Sequence, residues 1–226
     1  MQYVQYDQVD GETQKRLEQL FSVPRRKYWY KKRIFDEVVS VVFVLVLAPV
    51  FLLIAVLIAV DDPRGHVIFR QTRIGRHGKP FTLYKFRTMV QNAEAMRREL
   101  EQKNEMDGPV FKLKDDPRIT RVGRILRQTS LDELPQLWNV LKGDMSMVGP
   151  RPPLPEEVDA YNDYQRLRLL VTPGLTCYWQ TSALRNDISF AQWVEMDLEY
   201  IEHRSMWLDL KLIFRTVWAM LRRHGR

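Results

Sequence analysis

The chain has 226 residues, a formal net charge of +7 and a single cysteine, Cys177. One cysteine excludes an internal disulfide and a cysteine-built zinc site, and the four scattered histidines show no metal-ligand spacing. No GxGxxG, P-loop, zinc-finger, basic-zipper or RNA-binding motif is present, so the positive charge reads as lipid contact and not as nucleic-acid binding.

Residues 1–24 read as a polar, weakly ordered lead-in ending at Pro24. Residues 25–60 form the second unit. It begins with the basic-aromatic stretch RRKYWYKKR (25–33), which suits a headgroup region. An uncharged run, Val38 to Val60, follows. At about 1.5 Å per residue it is long enough to cross a bilayer as a helix. Pro49 sits at its centre, where a missing N–H and a ring clash kink a helix. Basic clusters flank both ends: Arg25, Arg26, Lys27, Lys31, Lys32 and Arg33 before it, then Arg64, Arg70, Arg73 and Arg76. Positive charge stays on the cytoplasmic side, so a segment that enters, kinks and returns satisfies both clusters. A single-pass anchor is the other reading, because proline is tolerated in spanning helices. The run is too long and too deep in the chain for a cleaved signal peptide.

Residues 61–226 read as one cytoplasmic-face domain. Val67–Ile74 and Pro80–Lys85 predict a β-hairpin, and Val90–Lys103 a mostly polar helix. Ile119–Leu126 is short and mixed. Ser130–Leu141 predicts a helix stopped near Gly143, and Met147–Pro155 is too proline-rich to be regular. Further helices are predicted over Glu156–Leu170, Phe190–His203 and Ser205–Arg223. In the last, Trp207, Leu210, Phe214, Val217, Trp218 and Leu221 share one face, with Lys211, Arg215, Arg222 and Arg223 supplying charge. Such a helix either packs on a core or lies in a membrane interface. The fold class expected is α+β, mainly α, anchored by a broken helix, with interfacial amphipathic helices and a small β-hairpin.

Two motifs carry chemistry. Asp132 and Glu133 are adjacent carboxylates inside SLDELP (130–135). Ser130 and Glu133 match a capping box, and acids favour a helix's positive end. The same placement suits an ionised nucleophile next to a Mg²⁺ ligand. In GPRPP (149–153), prolines on both sides stiffen the backbone around Arg151, whose guanidinium suits bidentate phosphate contact. Lys85 and Arg87 of KFRT and the Arg124–Arg127 stretch add cations. A carboxylate pair, several cations and an apolar anchor together suit phosphoryl transfer at a membrane surface. The competing reading is a non-catalytic, membrane-anchored lipid-binding scaffold.

KFRTM (85–89), the block FKLKDDPRITRVGRILRQTSLDELPQLWNVLKGDMSMVGPRP (111–152) and TPGLT (172–176) resemble the bacterial sugar transferases, the monotopic polyprenyl-phosphate phosphoglycosyl transferases. The likeness runs from about Lys32 to the C-terminus. It implies transfer of a sugar 1-phosphate from a UDP-sugar to undecaprenyl phosphate with release of UMP. This is the first membrane step of surface polysaccharide assembly, at the cytoplasmic face of the bacterial plasma membrane. The resemblance makes Asp132 the covalent nucleophile and Glu133, with Asp132, the Mg²⁺ site. Lys85, Arg87, Arg127 and Arg151 become phosphate contacts, and Pro49 the break of a re-entrant helix. It implies the compact catalytic form, with a homodimer left open. Two departures stand out. Ala48 replaces the serine usual before the proline, and Cys177, Ala183 and Leu184 alter the family's PGxTGxxQVxGR loop.

Overall fold

A computed structural model describes residues 9–22, 25–100, 104, 108–110, 113, 115–181 and 188–221. The predicted lead-in is helical where it is described. α1 (Gly11–Phe21) is N-capped by Asp10, which accepts from the Thr13 N–H, and it buries Leu20 in the main core. Leu17 and Leu20, three residues apart, supply an apolar edge that finds a partner in the protein body.

The basic-aromatic stretch and the first half of the apolar run are one helix, α2 (Arg26–Val46). α3 (Ala48–Asp61) follows after a bend of 61°. The break falls at Leu47, and Pro49 is the second residue of α3, where its missing N–H matters least. The Leu47 N–H bonds the Phe43 carbonyl at 2.9 Å and also turns toward the Leu45 carbonyl, which Pro49 has no N–H to serve. No single helix among the described residues is long and apolar enough to cross a membrane, but the bent pair meets that test together.

α2 is inverted relative to a helix of a water-soluble protein. Lys32, Asp36 and Ser40, spaced by four, are buried, while Val38, Val41, Val42, Leu45 and Val46 are exposed. The Lys32 ammonium lies 2.8 Å from Asp209, which also accepts from the hydroxyls of Tyr28 (2.9 Å) and Tyr200 (2.8 Å). The Asp36 carboxylate accepts from the Ser146 hydroxyl at 2.6 Å and the Met147 N–H at 3.2 Å. Arg33 donates to the Val140 and Leu141 carbonyls at 2.9 and 3.0 Å, and Arg25 to those of Glu202 and Arg204. Three of the six leading cations are therefore structural ties, not lipid contacts. The same holds for Arg73 on the other flank, which is buried.

β1 (Ile68–Ile74) and β2 (Pro80–Phe86) form the expected antiparallel hairpin, with Ile68 opposite Phe86 and Ile74 opposite Pro80. His77 takes φ 56° in its turn. α4 (Ala93–Leu100) lies within the predicted 90–103 helix but starts three residues later, after a turn at 91–92. The mixed segment 119–126 is instead the start of α5 (Arg121–Thr129), capped by the Thr120 side chain. α6 (Gln136–Lys142) ends at Gly143 with φ 85°. The proline-rich segment contains a strand, β3 (Ser146–Val148), which pairs in parallel with β4 (Gly174–Thr176). The single helix expected over 156–170 is divided into α7 (Pro155–Asp159), α8 (Asp163–Arg166) and a 3₁₀ turn. Asn162 caps α8 reciprocally with Gln165, and so restarts the helix. α9 (Phe190–His203) matches its prediction, and α10 (Met206–Leu221) closes the fold. α10 buries Asp209 and Leu212, and exposes the predicted apolar face at Trp207, Phe214, Val217 and Trp218.

Removing one member of a buried ion pair leaves the other charged and unpaired. Asp209→Asn should therefore destabilise the fold by about 3–5 kcal/mol. In detergent its melting temperature should drop well below that of a surface control such as Glu18→Gln. Equal melting temperatures would show that the Lys32 charge is not held by Asp209.

Candidate active site

The carboxylate pair lies on a 3₁₀ turn, Leu131–Glu133, between α5 and α6. The capping box expected at Ser130 is not formed. Ser130 is the C-cap of α5 with φ 57°, and its side chain makes no cap bond. Pro135 has no N–H to donate, so a continuous helix cannot run through it, and α6 starts one residue later. Positive φ at Ser130, a non-glycine residue two positions before Asp132, marks a strained segment held by its surroundings.

Those surroundings are two close contacts. A Cβ on Gly123 would lie 2.1 Å from the Thr88 carbonyl oxygen, so only glycine lets α5 seat against the KFRTM segment. The Thr120 N–H bonds that same carbonyl at 3.0 Å, and Arg127 Nε donates to the Thr88 hydroxyl at 2.9 Å. On the other side Asn139, fully buried on α6, accepts from the Tyr84 N–H (3.1 Å) and donates to the Thr82 carbonyl (2.6 Å). This amide stitches α6 to β2 and brings Lys85 Nζ to 2.9 Å from Glu133 Oε1.

Asp132 is 8 % exposed. Among the described residues no cation lies within ion-pairing distance of it, whereas Lys85 is paired with Glu133. Burial pushes the Asp132 carboxyl up to about 6, opposed by the Lys85 charge, raised further by Glu133 and lowered by Arg127. The helix end expected at the dyad gives way to a 3₁₀ turn, where burial raises the Asp132 carboxyl above its ordinary value. Burial is also the main cause that lowers Arg127.

The structure gathers Asp132, Glu133, Lys85 and Arg127. It does not bring Arg87 into that cluster. The Arg87 guanidinium pairs with Asp62 at 2.6 Å, tying KFRTM to the end of α3. Arg151 lies on the proline loop beside Glu157, 3.6 Å from its Oε2. Arg73 of β1 feels the charge of Arg151 and, with opposite sign, of Glu157 and Glu133. Its role was not read from the sequence, where it counted as one flanking cation among many. An arginine at an inward position of an alternating strand was the available signal. Ala183 and Leu184 lie outside the described residues, and Cys177 is buried.

Two donor sets suit ligands the site would need. The carboxylate pair fits Mg²⁺, which is held by one or two carboxylates together with phosphates and water. No group of three or more acidic, histidine or cysteine side chains is present among the described residues, so a phosphate ligand would have to complete the shell. Immediately after the dyad, Leu134, Pro135 and Trp138 line an apolar groove of about 300 Å³ with Val44 and Phe51, one from each leg of the bent pair. Arg70 is a cation at its wall.

A carboxylate–cation cluster beside an apolar groove, on a helix-rich α+β fold with a bent helix pair whose first leg is inverted, defines the class. The chain belongs to the bacterial sugar transferase family, whose model matches residues 27–223. It is 43 % identical over 211 residues to the undecaprenyl-phosphate galactose phosphotransferase of Salmonella typhimurium, covering 90 % of this chain and 43 % of that protein. It is 48 % identical over 157 residues to the galactosyl transferase CpsE of Streptococcus agalactiae, covering 70 % of this chain and 35 % of that one. The exopolysaccharide production protein ExoY of Sinorhizobium fredii is 40 % identical, with 86 % of this chain and 87 % of ExoY covered. The chain thus spans less than half the length of the first two relatives and most of the third.

Asp132 is higher in the folded state than its ordinary value, so its ionised form opposes folding. That penalty is absent below the unfolded value, about 4, and complete above about 6. Metal-free Asp132→Asn should therefore melt higher than the parent at pH 7.5, and the gain should vanish at pH 4. A lower melting temperature at pH 7.5 would mean that the cations, not burial, dominate Asp132.

Proposed function

We propose that the protein transfers a sugar 1-phosphate from a UDP-sugar to undecaprenyl phosphate at a membrane surface, releasing UMP. The observation that carries this reading is the setting of Asp132. It is buried, has no ion-pair partner among the described residues, and is adjacent both to phosphate-suited cations and to an apolar groove that reaches the bent helix pair. The names of relatives that act on undecaprenyl phosphate, in Salmonella typhimurium and in Aeromonas hydrophila, support the same acceptor.

An Asp132 carboxylate oxygen attacks the phosphorus that bears the sugar. The bond to the UMP oxygen breaks, and UMP leaves with both electrons of that bond. An oxygen of the acceptor phosphate then attacks the aspartyl-bound phosphorus and frees Asp132. Lys85 holds Glu133 in place and lends charge to Asp132 without pairing with it. Arg127, fixed by the Thr88 hydroxyl, and Arg151, on its stiff loop, contact phosphate oxygens. Glu133 and Asp132 would hold Mg²⁺, which when bound neutralises diphosphate charge. The groove takes the first isoprene units of the acceptor, which keeps its phosphate at the depth of the dyad.

The bent pair is read as re-entrant, in contact with membrane lipids, with the domain on the cytoplasmic face. Both ends of the pair are tied to one body. α2 is held by Lys32 and Arg33, and the end of α3 by the Asp62–Arg87 pair and by the Val122 N–H on Asp61. A full crossing would have to separate those ties. The exposed face of α10 (Trp207, Phe214, Trp218) would lie in the interface.

Asp132→Asn should abolish UMP release from every UDP-sugar in a panel with undecaprenyl phosphate, while the protein still folds. Near-normal release would exclude the nucleophile. Glu133→Gln should lower the rate and raise the Mg²⁺ concentration needed for half-maximal activity. For topology, Gln14→Cys and Lys79→Cys place thiols at two exposed sites, with buried Cys177 left in place. Both should resist an impermeant thiol reagent in intact cells until the membrane is permeabilised. Labelling of position 14 alone would mean a full crossing.

A further inference from the structure

The loop that carries Arg151 contains prolines at 150, 152 and 153, which accept hydrogen bonds but cannot donate them. Its carbonyls therefore need donors from elsewhere, and each has one. Pro150 O accepts from the Gly174 N–H at 2.9 Å, and Pro153 O from the Ile74 N–H at 2.9 Å. Arg151 O accepts from Arg168 Nη2 at 3.5 Å, and Pro152 O from Arg73 Nη1 at 3.0 Å. Two guanidiniums thus hold the two carbonyls at the centre of the loop.

The two are not equivalent. Arg168 is buried against the carboxylate of Asp197, so its charge is compensated. Arg73 is also buried, at 8 % exposure, but its other partner is the neutral amide oxygen of Gln71, reached by Nε (3.1 Å) and Nη2 (2.8 Å). Among the described residues no carboxylate lies within ion-pairing distance of it. Burying a guanidinium without a directly paired carboxylate is unfavourable, and Arg151 next to it adds like-charge repulsion; Glu157, Glu133 and Glu156 act on it from beyond ion-pairing distance and offset these two effects only in part. Both penalties fall when an anion is bound between the two charges. A hydrogen-bonding role at Pro152 O alone would be served by a neutral donor at no such penalty.

We propose that Arg73 is a positioning residue for phosphate binding: its planar fork fixes the Pro152 carbonyl and so the backbone of Arg151, and its buried charge, paired directly with no carboxylate among the described residues, draws a diphosphate to that loop. This rests on the donor reading above, and deepens it by assigning the hairpin a part in holding the donor's diphosphate. Gln71, two residues away on the same face of β1, orients the fork.

The test measures binding of inorganic pyrophosphate to the full chain in detergent by calorimetry. Arg73→Lys keeps the charge but loses the fork, and should raise Kd about tenfold. In an Arg151→Ala background the same change should add no more than about threefold, because Arg73 acts through Arg151. Gln71→Met, which leaves both cations in place, should raise Kd in the same direction by a smaller factor, with an unchanged melting temperature. With a UDP-sugar as substrate, Arg73→Lys should raise donor KM more than it lowers kcat. An unchanged Kd in Arg73→Lys, equal factors with and without Arg151, or no pyrophosphate binding by the parent would each overturn the proposal. A parent that binds pyrophosphate but releases no UMP from any donor would defeat the donor reading alone, and Kd would still decide the role of Arg73.

Discussion

Asp209 is the point on which the architecture depends. It is fully buried, and its two oxygens take Lys32 and Tyr28 from the anchor helix and Tyr200 from α9. α10 carries it, so one carboxylate joins the N-terminal anchor, the penultimate helix and the last helix. Such a pair is expensive to desolvate, and is held only because every oxygen and the ammonium have partners. The same contact explains why α2 has its polar stripe inside and its valines outside. Once Lys32 and Asp36 face the body, Val38, Val41, Val42 and Leu45 are left on the exposed side.

The dyad is placed by contacts that have nothing to do with acid chemistry. Gly123 permits α5 to lie against Thr88, and Asn139 locks α6 to the edge of β2. With both helices fixed, the linking turn at Ser130–Glu133 has no freedom to relax, and the positive φ at Ser130 persists. That geometry divides two neighbouring carboxylates into different environments. Glu133 receives Lys85, and Asp132 is left buried and raised. The apolar groove begins at the next residue, Leu134, so the same turn serves both halves of the site.

The second cationic element follows a similar logic. A proline-rich loop is stiff but can only accept hydrogen bonds, so its position is set by the donors around it. β1 supplies two of these, the Ile74 N–H and the Arg73 guanidinium. Close backbone approach of Gly149 and Gly174, where a Cβ on Gly174 would fall 2.0 Å from the Gly149 nitrogen, supplies the third side. The hairpin therefore reaches the proline loop through Arg73 on β1 and the dyad through Lys85 on β2.

Much of this was legible in the sequence, because local chemistry dictates it. Proline at 49 disfavours an unbroken helix through the apolar run, alternation between Val67 and Lys85 makes a hairpin, and the spacing of Trp207, Phe214 and Trp218 makes an apolar face that the fold leaves exposed. The family resemblance of the SLDELP and GPRPP motifs likewise needs only the order of residues. What the order of residues could not decide is which charges meet. Lys32 finds Asp209 at a separation of 177 residues, and Arg87 finds Asp62 and not the dyad. Arg73 reaches Pro152 across 79. Basic residues look alike along a chain, and their roles diverge only when packing strips water from some and leaves it on others. For the same reason a capping box at Ser130 was a sound local reading that tertiary contacts overrode: one cap bond is worth about 1 kcal/mol, less than the packing of two helices on either side.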